Sequence, residues 1–174
     1  MPKRDRLGAV MVVRGTKKFL DRAGRLNGSE AQPTTGVLGD WYANVWFWRP
    51  QVALFVNAKT LLPVIVPLAP ASSVIARFPT AFAEVAMRLG VGADVVHDEV
   101  AEMATWTLAK TASRSVLGVM NEFAHLADSY RERQDFIDLV ELSLWLAHVP
   151  CTPLRASHGF PDLEFKALLA AKET

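Results

Sequence analysis

Cysteine occurs once in this chain, at Cys151, so no intrachain disulfide can form and a reducing cytoplasm is the natural setting. Histidine is also scarce: His97, His125, His148 and His158 are scattered, and only His148 and Cys151 stand at a ligand-like spacing. Pro150 falls between them, so the pair reads as a helix end followed by a buried thiol, and no metal site is expected. A glycine-rich phosphate loop is lacking as well, because Gly36-Val37-Leu38-Gly39 is not followed by Lys-Ser/Thr. Long hydrophobic runs are missing too. Val52–Pro70 approaches spanning length, but Asn57 and Lys59 interrupt it and Pro63, Pro67 and Pro70 break it, so it reads as strands and no membrane association is expected. The apolar run Ala9–Val13 is too short for a secretory signal. A nucleophile with an adjacent base is equally absent: Ser115 and His125 share one helix at a separation that keeps them from touching. No cofactor is implied.

What is present is ordinary globular material. The 174 residues are 51% hydrophobic and 21% charged, which fits a single domain over residues 1–174. The net charge of +1 hides an asymmetry: residues 3–25 carry eight basic side chains against Asp5 and Asp21. That imbalance either steers an anionic partner to the N-terminal end or simply keeps the protein soluble. Asp94, Asp98, Glu99 and Glu102 form the densest acidic run, and the Asp98/Glu102 pair reads as a solvated surface without a basic counterweight.

Ala9–Val13 predicts a strand buried on both faces, ended by Gly15, after which Thr16 caps a short basic helix from Lys17 to Ala23. Residues 1–8 and 24–36 are expected to be flexible. Trp41–Trp48 alternates, with Trp41, Ala43, Val45 and Phe47 on one side and Tyr42, Asn44, Trp46 and Trp48 on the other. The second aromatic face either packs under helices or stacks nucleic-acid bases; with five Trp in a domain that needs a core, packing is favoured. Arg49-Pro50 and Asn57–Thr60 turn the chain into strands over 51–56 and 61–66, which must be antiparallel given such short links. Pro63 suits an edge. Pro79 suits the first turn of a helix that carries Phe82, Val85, Ala86 and Leu89 inward and stops at Gly90. Further helices are expected over 94–103, 113–132, 135–148 (apolar almost all round, hence buried) and 162–172, with a strand over 104–109. The fold class is α+β: an antiparallel sheet of about five strands packed against a layer of four to five helices.

The richest stretch is Lys110–Phe123, where a cationic, hydroxyl-bearing turn enters an amphipathic helix. Thr111 or Ser113 caps that helix, and Lys110 and Arg114 flank its start, an arrangement suited to an anion. Val116, Leu117, Met120, Phe123, Ala124, Ala127 and Tyr130 form one face, and Arg114, Gly118, Asn121, His125 and Asp128 the other. Gly118 in mid-helix suggests a close approach by something. The candidate ligand-binding set is Lys17, Lys18, Asn44, Asn57, Lys110, Thr111, Arg114, Ser115, Asn121 and His125; an exposed polar face with no ligand is the competing reading.

The run Lys110-Thr111-x-x-Arg114-Ser115-Val116-Leu117-Gly118-x-Met120-Asn121 resembles the signature of a bacterial family catalogued only as a domain of unknown function. Thr16-Lys17-Lys18, Trp41-x-Ala43-Asn44 and Phe55-x-Asn57-x-x-Thr60 resemble that family's other motifs, in the same order over residues 9–150. The resemblance supports a single domain and implies no activity.

Three functions remain. The first is a non-enzymatic cytoplasmic module binding an anion, either a nucleic acid or a nucleotide-like ligand, through Lys17, Lys18, Lys110 and Arg114, with Asn44, Asn57 and Asn121 as polar readers. The second is a small hydrolase or transferase acting on a phosphate-containing substrate, with His125 as acid or base. The third is a protein-interaction partner, such as one half of a two-gene system, docking through the acidic helix around Asp98 and Glu102.

Overall fold

The apolar run Ala9–Val13, followed by Arg14 and Gly15, favours a buried strand. In the computed structural model, which describes residues 9–26 and 36–173, strand β1 runs Met11–Gly15, with Met11, Val12 and Val13 all buried. Helix α1 follows at Lys17–Ala23, capped by the Thr16 hydroxyl, which accepts from the Phe19 N–H. Strands β2 (Trp41–Trp46), β3 (Val52–Asn57) and β4 (Pro63–Pro67) come next, then helices α2 (Val74–Arg88) and α3 (Ala93–Glu102). Strand β5 (Trp106–Lys110) leads into α4 (Arg114–Glu132), and α5 (Leu139–Ala147) and α6 (Pro161–Lys172) complete the order. Of the two segments expected to be flexible, 1–8 and 24–36, residues 1–8 and 27–35 lie outside the described residues.

The five strands are ordered β4-β3-β2-β1-β5. β2, β3 and β4 form the expected antiparallel meander, with Pro63 on the edge strand. The rest of the sheet corrects the antiparallel expectation: β1 pairs parallel with β2 on one side and with β5 on the other. The cause is the connection. A tight turn reverses a chain, whereas α1 between β1 and β2, and α2 with α3 ahead of β5, carry it back to the end from which it started.

A single helical layer is likewise replaced by two. Trp41, Ala43, Val45, Phe55 and Val64 pack with α1, α2, α3 and α6 on one face. Tyr42, Trp46, Leu54, Val56 and Ile65 pack with α4 and α5 on the other. All six residues of β3 are buried, as expected of a strand with both faces covered. On the first face Trp41 meets Phe78 and Phe82 edge-on, and Phe55 stacks on Phe78 with centroids 4.4 Å apart. On the second, Tyr42 and Trp46 lie beneath Val116, Met120 and Phe123, so that face of β2 is core and offers no surface to bases.

Two helix boundaries moved. α2 begins at Val74, leaving Pro79 inside it. An interior proline costs about 3 kcal/mol, but the earlier start buries Val74, Ile75 and Phe78, each contributing about 1.5–3 kcal/mol. α5 begins only at Leu139, where the Asp138 carboxylate accepts from the N–H groups of Val140 and Glu141. It is not buried all round, because Trp145 is exposed.

A candidate ligand crevice at the carboxyl ends of the parallel strands

β1 is flanked by parallel neighbours whose onward connections diverge. Beyond Gly15 the chain turns into α1 on one face of the sheet, and beyond Lys110 it turns into α4 on the other. In an open sheet, such a divergence leaves a crevice outside the strands' carboxyl ends. Here the crevice is an open cleft of about 1040 Å³, with Gly15, Lys17, Arg22, Arg25, Lys110 and Thr111 among its lining residues.

Local chemistry explains how each wall is held. A Cβ at Gly15 would stand 2.8 Å from side-chain carbons of Phe19 and Leu20, so only glycine lets α1 fold back this closely. The Thr16 N–H donates to the Ala43 carbonyl at 2.9 Å, and its hydroxyl donates to Asn44 Oδ1 at 2.6 Å. Asn44, whose Oδ1 also accepts from the Val45 N–H, therefore fixes the start of α1 relative to β2. Arg14, on the α4 side of β1, donates through Nε to Asp40 at 2.6 Å and through a terminal nitrogen to the Lys110 carbonyl at 3.0 Å. It ties the entrance of β2 to the exit of β5 and leaves the Lys110 side chain exposed. Ser113, rather than Thr111, caps α4: its hydroxyl accepts from the Val116 N–H, and its own N–H donates to the Tyr42 hydroxyl at 3.1 Å.

The candidate residues thus divide. Lys17, Lys110 and Thr111 share the cleft. Arg114 and Ser115 are exposed in the first turn of α4, immediately beyond it. Lys18 is exposed on α1 and holds its ammonium 5.5 Å from the centroid of the Phe47 ring. Asn57 lies at the opposite end of the sheet, since it pairs with Trp41 while β2 leaves the sheet at Trp46. It is fully buried and occupied by the β3–β4 hairpin. Asn121 and His125 are exposed further along α4. His125 is eleven residues past Arg114 in that helix, about 16 Å along the axis. Gly118 admits nothing, because a Cβ there would meet no atom within 4 Å. The polar stripe is an outward helix face and not a groove. Arg22 and Arg25 belong to the basic N-terminal run, but their convergence with Lys110 depends on the parallel pairing of β1 with β5.

Chemistry elsewhere is sparse. Burial, and then the charge of Glu122, pushes the Cys151 thiol up to about 11, which keeps it neutral and unreactive. Ser157 and Glu164 both approach His158, but through the same Nδ1, at 3.1 and 3.3 Å. A nucleophile–base–acid relay needs both ring nitrogens. Burial works to raise the Glu164 carboxyl, but hydrogen bonds from Ser157 and His158 outweigh it and hold the group low. Among the described residues no group of three or more His, Cys, Asp or Glu is arranged to hold a metal ion, and no helix is long and apolar enough to cross a membrane. The acidic helix does have its counterweight. Lys172 of α6 reaches buried Glu99 at 2.7 Å and Glu102 at 3.8 Å.

Residues 12–164 match the model of a family described as a domain of unknown function (DUF6933). No curated protein and no solved structure matches the chain.

Proposed function

Because the chain belongs to that family, whose description assigns no activity, we propose a function from geometry: a non-enzymatic module that holds a phosphate-bearing ligand in the crevice beyond β1 and β5. The observation that carries this reading is the meeting of Lys17, Arg22, Arg25 and Lys110 on one cleft. Asp21 is the one acidic side chain among its described lining residues. Thr111 adds a hydroxyl at the same wall, and Arg114 stands just outside. Such a concentration of one charge in a concave site attracts anions by more than pairwise contact. The distance of His125 favours binding over turnover: the residue that the hydrolase or transferase reading assigned as acid or base stands well down α4. A cytoplasmic setting belongs to the same reading, supported by a lone cysteine that can form no intrachain disulfide.

Titration calorimetry with mononucleotides and pyrophosphate at about 50 mM and about 200 mM salt tests it. Binding that weakens with salt, and falls at least about tenfold in Lys17→Glu and Lys110→Glu, is the expected result. Undetectable binding of these anions at low salt, or affinities indifferent to both substitutions, overturns it.

A further inference from the structure

Resting on that reading, we propose that the ligand is a single-stranded nucleic acid that leaves the basic cleft and continues across the same end of the sheet into a neighbouring aromatic groove. The groove, of about 650 Å³, is formed where β2 exits, and its walls include Phe47, Trp48, Arg49, Arg131 and Phe136. One step along α1 links the two depressions. Lys17 lines the cleft, and Lys18, the next residue, holds its ammonium over Phe47 of the groove.

Exposure and charge argue for this occupant. Phe136 is 81% exposed and Phe47 57% exposed, so two phenyl faces stand in water beside cations. Arg49 and Arg131 extend the positive charge of Lys17, Lys18, Arg22, Arg25 and Lys110; Asp135 is the acid lining the groove and Asp21 the acid lining the cleft. Alternating cations and exposed rings suit a strand whose phosphates track the charge while its bases stack. Trp48 is not one of the stacking rings. It is fixed between Trp46, at 5.1 Å, and the Arg131 guanidinium, at 4.7 Å, and its Nε1–H donates to Asp128 at 2.9 Å. It is therefore a rigid wall against which Phe47 and Phe136 are presented. A groove that offers rings and guanidinium groups to its ligand stacks any base, so binding should be tolerant of sequence.

Fluorescence anisotropy of the full chain with labelled oligothymidylate and oligouridylate of about twelve nucleotides, competed by UMP and TMP, tests the proposal. The oligomers should bind at least about tenfold more tightly than the mononucleotides. Phe47→Ala and Phe136→Ala should each weaken the oligomers about tenfold while leaving the mononucleotides unchanged, and Lys110→Glu should weaken both. Both phenylalanines are exposed, and circular dichroism verifies that the variants fold. Oligomers no tighter than mononucleotides, neutral Phe variants, or equal affinity for a duplex would overturn the single-strand proposal and leave the cleft reading standing. Failure of every nucleotide to bind would remove both.

Discussion

Replacing Asn57 with alanine removes a fully buried side chain that ties the β3–β4 hairpin together. Its amide nitrogen donates to the Leu38 carbonyl at 2.8 Å. Its oxygen accepts from the Lys59 N–H at 3.1 Å, the Thr60 N–H at 3.0 Å and the Thr60 hydroxyl at 3.1 Å. Lys59 is exposed, so its N–H regains a water, but Leu38 and Thr60 are buried. Two buried backbone groups then lose a partner, at about 1–3 kcal/mol each. The turn they hold also carries Leu61 at a φ of 61°, a left-handed conformation that a leucine keeps only when its surroundings impose it. A loss of about 4 kcal/mol is expected. In urea, with a slope of about 2 kcal/mol per molar, the midpoint should fall by about 2 M. Asn57→Asp keeps the acceptor oxygen but loses the donor and buries a charge, so it should be at least as damaging near neutral pH. A variant within about 1 kcal/mol of the parent that instead loses nucleotide binding would refute the reasoning and return Asn57 to the ligand site.

Two further predictions concern residues with simpler surroundings. Gly118→Ala should stabilise the protein by up to about 1 kcal/mol, because helix propensity improves and the added Cβ meets nothing within 4 Å; a fall in the thermal midpoint would show that something closes on α4 there. Cys151 should resist thiol-exchange reagents at pH 8 in the folded protein and react fully in urea. Its folded value of about 11 lies above the ordinary thiol value. The stability it contributes is therefore complete below about pH 9 and is lost as pH rises through about 11, by about 2–3 kcal/mol. The stability of the parent relative to Cys151→Ala should decline over that window; a flat difference, or rapid labelling of folded protein, would count against burial as the cause.

Local patterns were legible in the sequence, and pairings across the chain were not. The apolar period of Val116–Ala127 and the hydroxyl at Ser113 give α4 and its cap, and alternation from Trp41 correctly sorts Trp41, Ala43 and Val45 from Tyr42 and Trp46. β1 carries no such mark of its orientation. Its register with β5 joins Met11 to Trp106 and Gly15 to Lys110, and no local pattern encodes a partner that distant. The convergence of Lys17 with Lys110 was hidden for the same reason. Asn44 and Asn57 look alike in sequence, each in an apolar strand. Adjacent antiparallel strands nevertheless carry them to different ends of the sheet, where one braces the start of α1 and the other closes a hairpin. Pro79 misled because a proline's preference for the first turn is weaker than the burial of Val74, Ile75 and Phe78.

The position of β1 between β2 and β5 has a consequence for the protein's synthesis. Its first partner is complete once Trp46 has been made and the meander ends at Pro67, but its second edge stays bare until Lys110 has left the ribosome. At about 5–20 residues per second this interval lasts a few seconds, during which an apolar strand presents unpaired backbone to any neighbouring chain. Fragments that end before β5 should therefore associate through β1, and only the completion of the fifth strand covers that edge.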